Sequence, residues 1–163
     1  MIFERKNHPT TAQAVSEFES IRGIRLPEDY KEFLLTFNGG YVDRVNDYFE
    51  VGSWNAFCVD ELLGLTEDPE TSISTRRFSN FFEYIDARLL EFGYASGEIL
   101  YLDLRETAAY GKIYIRAHDS APNDPILIDD EGFTPEDYEE AQLFHPVADS
   151  FSEFVAMLGP EPE

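Results

Sequence analysis

The side chains best suited to chemistry in this chain are three histidines and one cysteine. They are His8, His118, His145 and Cys58. Asp119 follows His118 and could orient it as a general base, although such a pair more often ends a strand and satisfies a local turn. No histidine has a partner at metal-ligand spacing, and no serine lies in a Gly-x-Ser-x-Gly elbow. We therefore expect no catalytic residue and no metal site.

The single cysteine, Cys58, lies between Phe57 and Val59. This apolar setting predicts a buried, inert thiol. A single cysteine also excludes an internal disulfide framework and a CxxC metal site. We expect no cofactor.

Two other stretches resemble ligand-binding loops but fail on position. Gly39 and Gly40 follow a predicted helix, whereas a phosphate cradle places its glycines before one, at the positive end of the dipole. Asp129 to Gly132 resembles the start of a calcium loop, but the sixth position from Asp129 is Thr134 rather than glycine. The sequence therefore argues against both ligands, with an adventitious cation as the remaining alternative at Asp129.

The strongest signal in the composition is negative charge. The chain has 33 acidic and 12 basic residues, a net charge of −21, and no lysine or arginine follows Arg116. Phosphate would be repelled, so direct binding of nucleic acid or of an anionic membrane is not expected. A basic protein partner is favoured because complementary fields speed encounter. Solubility alone is the alternative explanation.

The densest acidic stretch predicts a partner-binding surface, which we call the acidic segment. Its tyrosine, Tyr138, could act as an aromatic anchor within a charged surround. A solvated helix face is the alternative. The residues of the acidic segment are Asp129, Asp130, Glu131, Glu136, Asp137, Tyr138, Glu139 and Glu140.

The length and composition predict one globular domain spanning residues 1–163, with 43% hydrophobic residues. No apolar run is long enough to span a membrane, and the first residues lack the apolar core of a signal peptide. We therefore expect a cytoplasmic protein.

Two helices are predicted near the N-terminus. The first is capped by Thr10 or Thr11 and ends at Gly23. Its apolar face comprises Ala14, Val15, Phe18 and Ile21. The second has Pro27 at its first position and ends at residues 38–40. Its buried stripe comprises Tyr30, Phe33, Leu34 and Phe37.

Alternating apolar residues then predict a three-strand antiparallel meander between Leu90 and Ile115, with a turn at Ser96 and Gly97. Before it, residues 61–65 suggest a helical turn, residues 66–77 a polar surface loop and residues 78–85 a helix. After it come a possible strand at 125–129 and a helix at 134–144.

The closing helix carries the clearest boundary signals. Ser150 and Glu153 predict a capping box, and Gly159 followed by Pro160 predicts its end. Its buried stripe comprises Phe151, Phe154, Val155 and Leu158. The order of helices, sheet and helices predicts an α+β fold.

Three motifs together resemble the SUKH superfamily of SMI/KNR-like proteins. They are LPEDYKEFLLTFNGG at 26–40, GEILYLDLRETAAYGKIYIRAHD at 97–119 and VADSFSEFVAML at 147–158. The residues that carry the resemblance are Leu26, Pro27, Tyr30, Phe33, Asn38, Gly39, Gly40, Gly111, His118 and Asp119. The acidic region between the second and third motifs is long for the family.

The resemblance implies a compact α+β domain that binds proteins and does not catalyse a reaction. Bacterial members are mostly immunity proteins of polymorphic toxin systems, so the implied partner is a cognate toxin, basic and of nuclease type. The alternative is a regulatory or scaffold module like the fungal cell-wall regulators. The fold by itself does not fix the partner.

Overall fold

A computed structural model describes residues 3–4, 7–52, 55–68, 72–73, 88–116 and 144–163. Within these ranges the chain has the predicted α+β architecture, with N-terminal helices, an antiparallel sheet and a closing helix. The elements in chain order are β1 (Phe3–Glu4), α1 (Ala12–Arg22), α2 (Glu28–Thr36), β2 (Tyr41–Val42), β3 (Tyr48–Val51), β4 (Asn55–Leu62), β5 (Leu89–Ala95), β6 (Glu98–Asp103), β7 (Ile113–Arg116), β8 (Phe144–Ala148) and α3 (Phe151–Met157).

Helix α1 follows its predicted boundaries but not all of its predicted face. Thr11 caps it by accepting the Ala14 N–H at 3.1 Å, and Gly23 ends it with a φ of 63°. Phe18 is buried, whereas Ile21 is 84% exposed, so placing Ile21 on the buried face was wrong. Ile21 lies six residues after the buried Val15, and at about 100° per residue it points about 120° away from it.

Helix α2 buries the predicted stripe. Tyr30 and Leu34 are fully buried and Phe33 is 5% exposed. Pro27 is the N-cap, with an extended ψ of 145°, so the prediction that it occupies the first helical position was one residue early. The fixed φ of proline suits either place.

The predicted meander is confirmed as β5, β6 and β7, and it is part of a larger sheet. In the described residues the sheet order is β3-β4-β5-β6-β7-β8, and every neighbouring pair is antiparallel. Ser96 and Gly97 form the β5–β6 turn with φ values of 51° and 78°. Strand β3 also contacts β8, so the sheet is nearly closed. Strands β1 and β2 form a separate pair.

The central strands are buried on both faces. One face carries Phe92, Leu100 and Ile115 into the main core with the helices. The other carries Tyr101 and Tyr114 into a second apolar cluster. Burial on both sides explains why β6 and β7 read as nearly continuous apolar runs.

Helix α3 confirms the capping box and closes the core. Ser150 Oγ accepts the Glu153 N–H at 3.1 Å, and Glu153 Oε2 accepts the Asp149 N–H at 2.7 Å. Phe151 and Phe154 are buried and contact the ring of Phe92, each with ring centroids 5.9 Å apart. The apolar face of α3 therefore packs directly on the sheet.

Three local predictions were wrong because non-local pairing decides them. Residues 61–65 are not a helical turn: Leu62 ends β4 and pairs with Gly40. The predicted surface loop at 66–77 contains the fully buried Ser72 and Ile73, the latter donating its N–H to Gly64 O at 2.8 Å. Residues 144–148 form β8, which the sequence did not suggest.

The predicted helix at 78–85, the strand at 125–129 and residues 134–143 of the helix predicted at 134–144 lie outside the described residues. The last residue of that helix prediction, Phe144, was placed wrongly, because it begins β8. Across the described part of the chain, no helix is long and apolar enough to cross a membrane.

Candidate functional site

An open groove of about 1020 Å³ lies beside β3, between the turn after β2 and the middle of β4. We call it the acidic groove because the described part of its lining carries five carboxylates and one guanidinium. The charged lining residues are Glu4, Asp43, Asp47, Asp60, Glu161 and Arg44. The other lining residues are Phe3, Tyr41, Val42, Val45, Tyr48, Cys58 and Val59.

The first wall of the groove is the turn that joins β2 to β3. Asp43 organises it, because its carbonyl accepts the Asn46 N–H at 2.8 Å and its carboxylate accepts the Val45 N–H at 3.3 Å. An aspartate that bonds the backbone two residues onward is a common turn former. Asp47 then joins the sheet by accepting the Val59 N–H at 2.8 Å on its carbonyl.

Strand β4 and the β5–β6 turn form the opposite wall. Tyr48 pairs with Cys58 across β3 and β4. Cys58 O accepts the Ser96 N–H at 2.8 Å, which fixes β4 against the turn. The register of β4 shifts around Asp60, whose carboxylate accepts the Gly97 N–H at 2.9 Å. A bulge of this kind re-aims a side chain, here toward the β5–β6 turn at the edge of the groove.

The C-terminal residues complete the rim. Tyr48 and Gly159 exchange both backbone hydrogen bonds, at 3.0 and 2.9 Å. This bridge holds the following segment along β3 and brings the exposed carboxylate of Glu161 to the groove. The position of the Glu161 charge at the rim therefore depends on the contact between Tyr48 and Gly159, which lie far apart in the sequence.

Asp47 is the most unusual member of the groove, because it lines the cavity while only 5% exposed. Its Oδ2 accepts a hydrogen bond from Cys58 Sγ at 3.2 Å. Its Oδ1 is buried and has no hydrogen-bond partner among the residues the structure describes. A buried carboxylate oxygen without a donor costs about 1–3 kcal/mol or more, so a donor supplied by a ligand would be favoured.

Two uncharged acids in the lining, Tyr48 and Cys58, have raised pKa values, and the negative charges around them contribute to the rise. The charge of Glu161, followed by partial burial and the neighbouring Cys58 and Asp47, raises the pKa of Tyr48. Burial, followed by the hydrogen bond and charge of Asp47, raises the pKa of Cys58 to about 11. Cys58 is half-buried and its thiol is hydrogen-bonded to a carboxylate, so the prediction of a buried thiol in an apolar setting was wrong. The raised pKa keeps the thiol protonated at neutral pH, which agrees with the predicted low reactivity.

We expect alkylation of Cys58 by iodoacetamide to be slow up to about pH 9 and to accelerate with an apparent pKa near 11. Asp47→Asn should lower that pKa, because it removes the charge that opposes the thiolate. Arg44→Gln should raise it, because the Arg44 charge lowers the pKa. The folded state keeps its thiol proton while the unfolded chain loses it near pH 9, so stability should fall as pH rises from about 9 to 11. Equal alkylation profiles for the three proteins would show that Asp47 does not control the thiol.

The groove also offers apolar surface beside its charges. Val45 is 67% exposed and Tyr41 is 40% exposed. Among the described residues, no three histidine, cysteine or carboxylate side chains come close enough together to hold a metal ion. Exposed aromatic and aliphatic side chains beside a polar rim suit a protein-binding surface, because interface cores are enriched in aromatic residues and their rims are polar.

The family model described as SMI1 / KNR4 family (SUKH-1) matches residues 9–157. The chain belongs to the SUKH-1 family. A comparison with curated proteins found no match. The family match includes Asp43, Asp47 and Asp60, whereas Glu4 and Glu161 lie outside it. Two of the five groove carboxylates named above therefore lie outside the matched residues.

The first SUKH-1 motif is scaffold in this structure. Leu26 is 1% exposed, and Asp29, in the first turn of α2, joins α2 to α3. Asp29 Oδ2 accepts the Ser152 N–H at 2.8 Å, while its Oδ1 accepts the Tyr30 N–H at 2.9 Å. The motif therefore positions the closing helix rather than a ligand.

The end of the same motif ties three segments together. Asn38 is 1% exposed with a left-handed φ of 54°, and its side chain binds the backbone of His8 and Leu65. Gly39 has a φ of 80°, and a Cβ there would lie 2.6 Å from Gly64 N. Gly40 pairs with Leu62. These contacts confirm that residues 38–40 close the helix and do not form a phosphate loop.

Of the remaining predicted site residues, one is described by the structure and the others are not. Gly111 lies in the loop before β7 with a φ of 88°, and its N–H donates to Asp103 O at 2.8 Å, so it too is structural. His118, Asp119 and the whole acidic segment, residues 129–140, lie outside the described residues.

Sequence reasoning missed two groups of charged residues. The acidic groove was missed because its members come from four separate stretches of chain. The buried pair of Asp103 and Arg105 was also missed, with Arg105 Nη2 2.6 Å from Asp103 Oδ2. The alternation of Leu100, Leu102 and Leu104 was the available signal, since it places Asp103 and Arg105 on the opposite face of the strand.

Proposed function

We propose that this SUKH-1 protein is an immunity protein that binds a cognate toxin domain non-covalently and blocks it. The observation that carries the proposal is an acidic groove on a SUKH-1 domain. Bacterial proteins of this family are typically immunity proteins of polymorphic toxin systems. A binding role needs a shaped, charged surface rather than a catalytic constellation, and the groove is such a surface.

The proposed toxin is basic and of nuclease type. Nucleases hold phosphate with lysine and arginine, so their substrate grooves are positive. A chain with a net charge of −21 would attract such a surface over a distance of about a Debye length. Complementary fields raise association rates by orders of magnitude at low salt, which suits rapid neutralisation of a toxin.

The proposed protein inhibits the nuclease by covering its substrate groove. A protein seated on the positive substrate groove of a nuclease excludes the nucleic acid by occupying the same charges. We place the acidic groove at the centre of this interface and extend the proposal to the acidic segment, residues 129–140, as a second negative surface. The first motif supports the groove through Phe33 and Phe37, whose ring centroids lie 5.2 and 5.1 Å from that of the lining residue Phe3.

Co-expression with the toxin domain encoded by the neighbouring gene tests the proposal. Cells that carry the active toxin should survive with this protein and die without it. A toxin variant without catalytic activity controls for the load of expression, and the purified pair should form a stable complex. Equal killing with and without the protein would contradict the immunity role for that pair.

The alternative is a regulatory or scaffold module without a toxin. Its signature would be a locus with no adjacent toxin gene, together with a stable non-toxin partner recovered from the native host. That result would replace the immunity role and retain only the binding role.

A further inference from the structure

We propose that the acidic groove receives an arginine side chain of the partner protein, with its guanidinium over Asp47 and its stem along Tyr41 and Val45. This inference rests on the proposed function, since the arginine belongs to the basic toxin. It adds the chemical identity of the recognised group and the residue at the centre of recognition.

The first argument is the state of Asp47. It lines the groove, is 5% exposed, and its buried Oδ1 has no donor among the described residues. Its other oxygen is held by the Cys58 thiol, which is a weak donor. A guanidinium supplies both the missing donor and the countercharge, and its hydrogen bonds to a carboxylate are among the strong ones.

The second argument is the charge around Asp47. Among the residues that the structure describes, Arg44 is the one basic side chain of the lining, against Asp43, Asp60, Glu161 and Glu4. Arg44 is exposed, and its charge acts on the Cys58 thiol without offsetting the rise in that thiol's pKa. The groove therefore keeps an uncompensated negative field, which an incoming cation would neutralise.

The third argument selects arginine over lysine. A guanidinium is planar, presents five donors and stacks on aromatic rings, whereas an ammonium is a compact and strongly hydrated point charge. The groove provides several acceptors and two tyrosine rings, Tyr41 and Tyr48. A guanidinium stacks on a tyrosine ring elsewhere in this chain, because the Arg25 guanidinium carbon lies 4.9 Å from the centre of the Tyr110 ring.

The test is a titration of the isotope-labelled full chain with N-acetyl-arginine methylamide, followed by nuclear magnetic resonance. The backbone amides of Asp47, Cys58 and Asp60 should shift in a saturable way. The citrulline analogue has the same shape without the charge, and the lysine analogue has the charge without the fork. Both should bind at least about tenfold more weakly.

Matched variants locate the binding. Asp47→Asn keeps the shape and the acceptor for the thiol, and it should weaken arginine binding by about tenfold or more. Asp60→Asn should weaken it less and provides a second groove variant if Asp47→Asn is unstable. Glu50→Gln is the control, because Glu50 is an exposed carboxylate of β3 outside the groove lining, and it should leave binding unchanged.

The outcomes separate this inference from the proposed function. Protection from the toxin without any arginine-dependent shift at the groove would overturn the arginine site alone. Saturable arginine binding without protection of cells from the toxin would overturn the immunity role. The preference of the groove for arginine would stand. Equal binding of the lysine or citrulline analogue, or equal binding by Glu50→Gln and Asp47→Asn, would also overturn the inference.

Discussion

Replacing Tyr30 by alanine is expected to reduce the free energy of unfolding by about 3–5 kcal/mol. The Tyr30 side chain is fully buried. Its ring contacts three others, with centroids 5.1 Å from Phe151 and 5.9 Å from both Phe33 and Phe92. Removing the ring leaves a cavity where α2, α3 and the sheet meet, and such a site collapses poorly because each wall is fixed by its own element.

Tyr30→Phe is the matched control for that prediction. The Tyr30 hydroxyl is buried and has no hydrogen-bond partner among the described residues, and burial raises its pKa far above the ordinary range. Loss of the hydroxyl should therefore be neutral or stabilising within about 1 kcal/mol. Urea denaturation of the three proteins measures both effects. Native-like unfolding of Tyr30→Ala would show that the ring does not support the core.

Replacing Asn38 by alanine is expected to reduce the free energy of unfolding by a similar amount, about 3–5 kcal/mol. Its Nδ2 donates to His8 O at 2.8 Å and to Leu65 O at 3.0 Å, and its Oδ1 accepts the Leu65 N–H at 2.8 Å. Alanine would leave these part-buried backbone groups without their side-chain partner. It would also strain the left-handed backbone at a φ of 54°, which asparagine tolerates better.

Asn38→Gly separates the two contributions. Glycine accepts the left-handed conformation without strain, so its deficit reports the three side-chain hydrogen bonds together with the greater entropy of glycine in the unfolded chain. Alanine should be the less stable of the two by about 1 kcal/mol. A glycine variant as stable as the wild type would mean that water replaces the hydrogen bonds of Asn38, and the proposed tie between residues 8, 38 and 65 would be wrong.

Local sequence signals predicted the helices well because their causes are local. The caps at Thr11 and Ser150 are set by one side chain and a backbone N–H three residues later. The stripe of Tyr30, Phe33 and Leu34 follows from helical spacing. The β5–β7 meander was predictable from alternation and from the Ser96-Gly97 turn.

The groove was not predictable in the same way. Asp47 and Cys58 meet because β3 pairs with β4 in one register, and Asp60 points toward the β5–β6 turn because of an irregularity in the β4–β5 pairing. None of these relations appears in the local pattern around Cys58, which reads as apolar. Strand β8 was missed for a related reason, since Pro146 weakens its strand signal and is tolerated at the edge of the sheet order.

Under the proposed function, the turn between β2 and β3 is an adjustable specificity element. Its path is held by the carbonyl and carboxylate of Asp43, while Arg44 and the 67% exposed Val45 only face the groove. Substitutions at Arg44 and Val45 should therefore alter which partner is recognised at little thermodynamic penalty. When the toxin changes in sequence, substitutions at these two positions would produce a matching change in recognition while the fold stays the same.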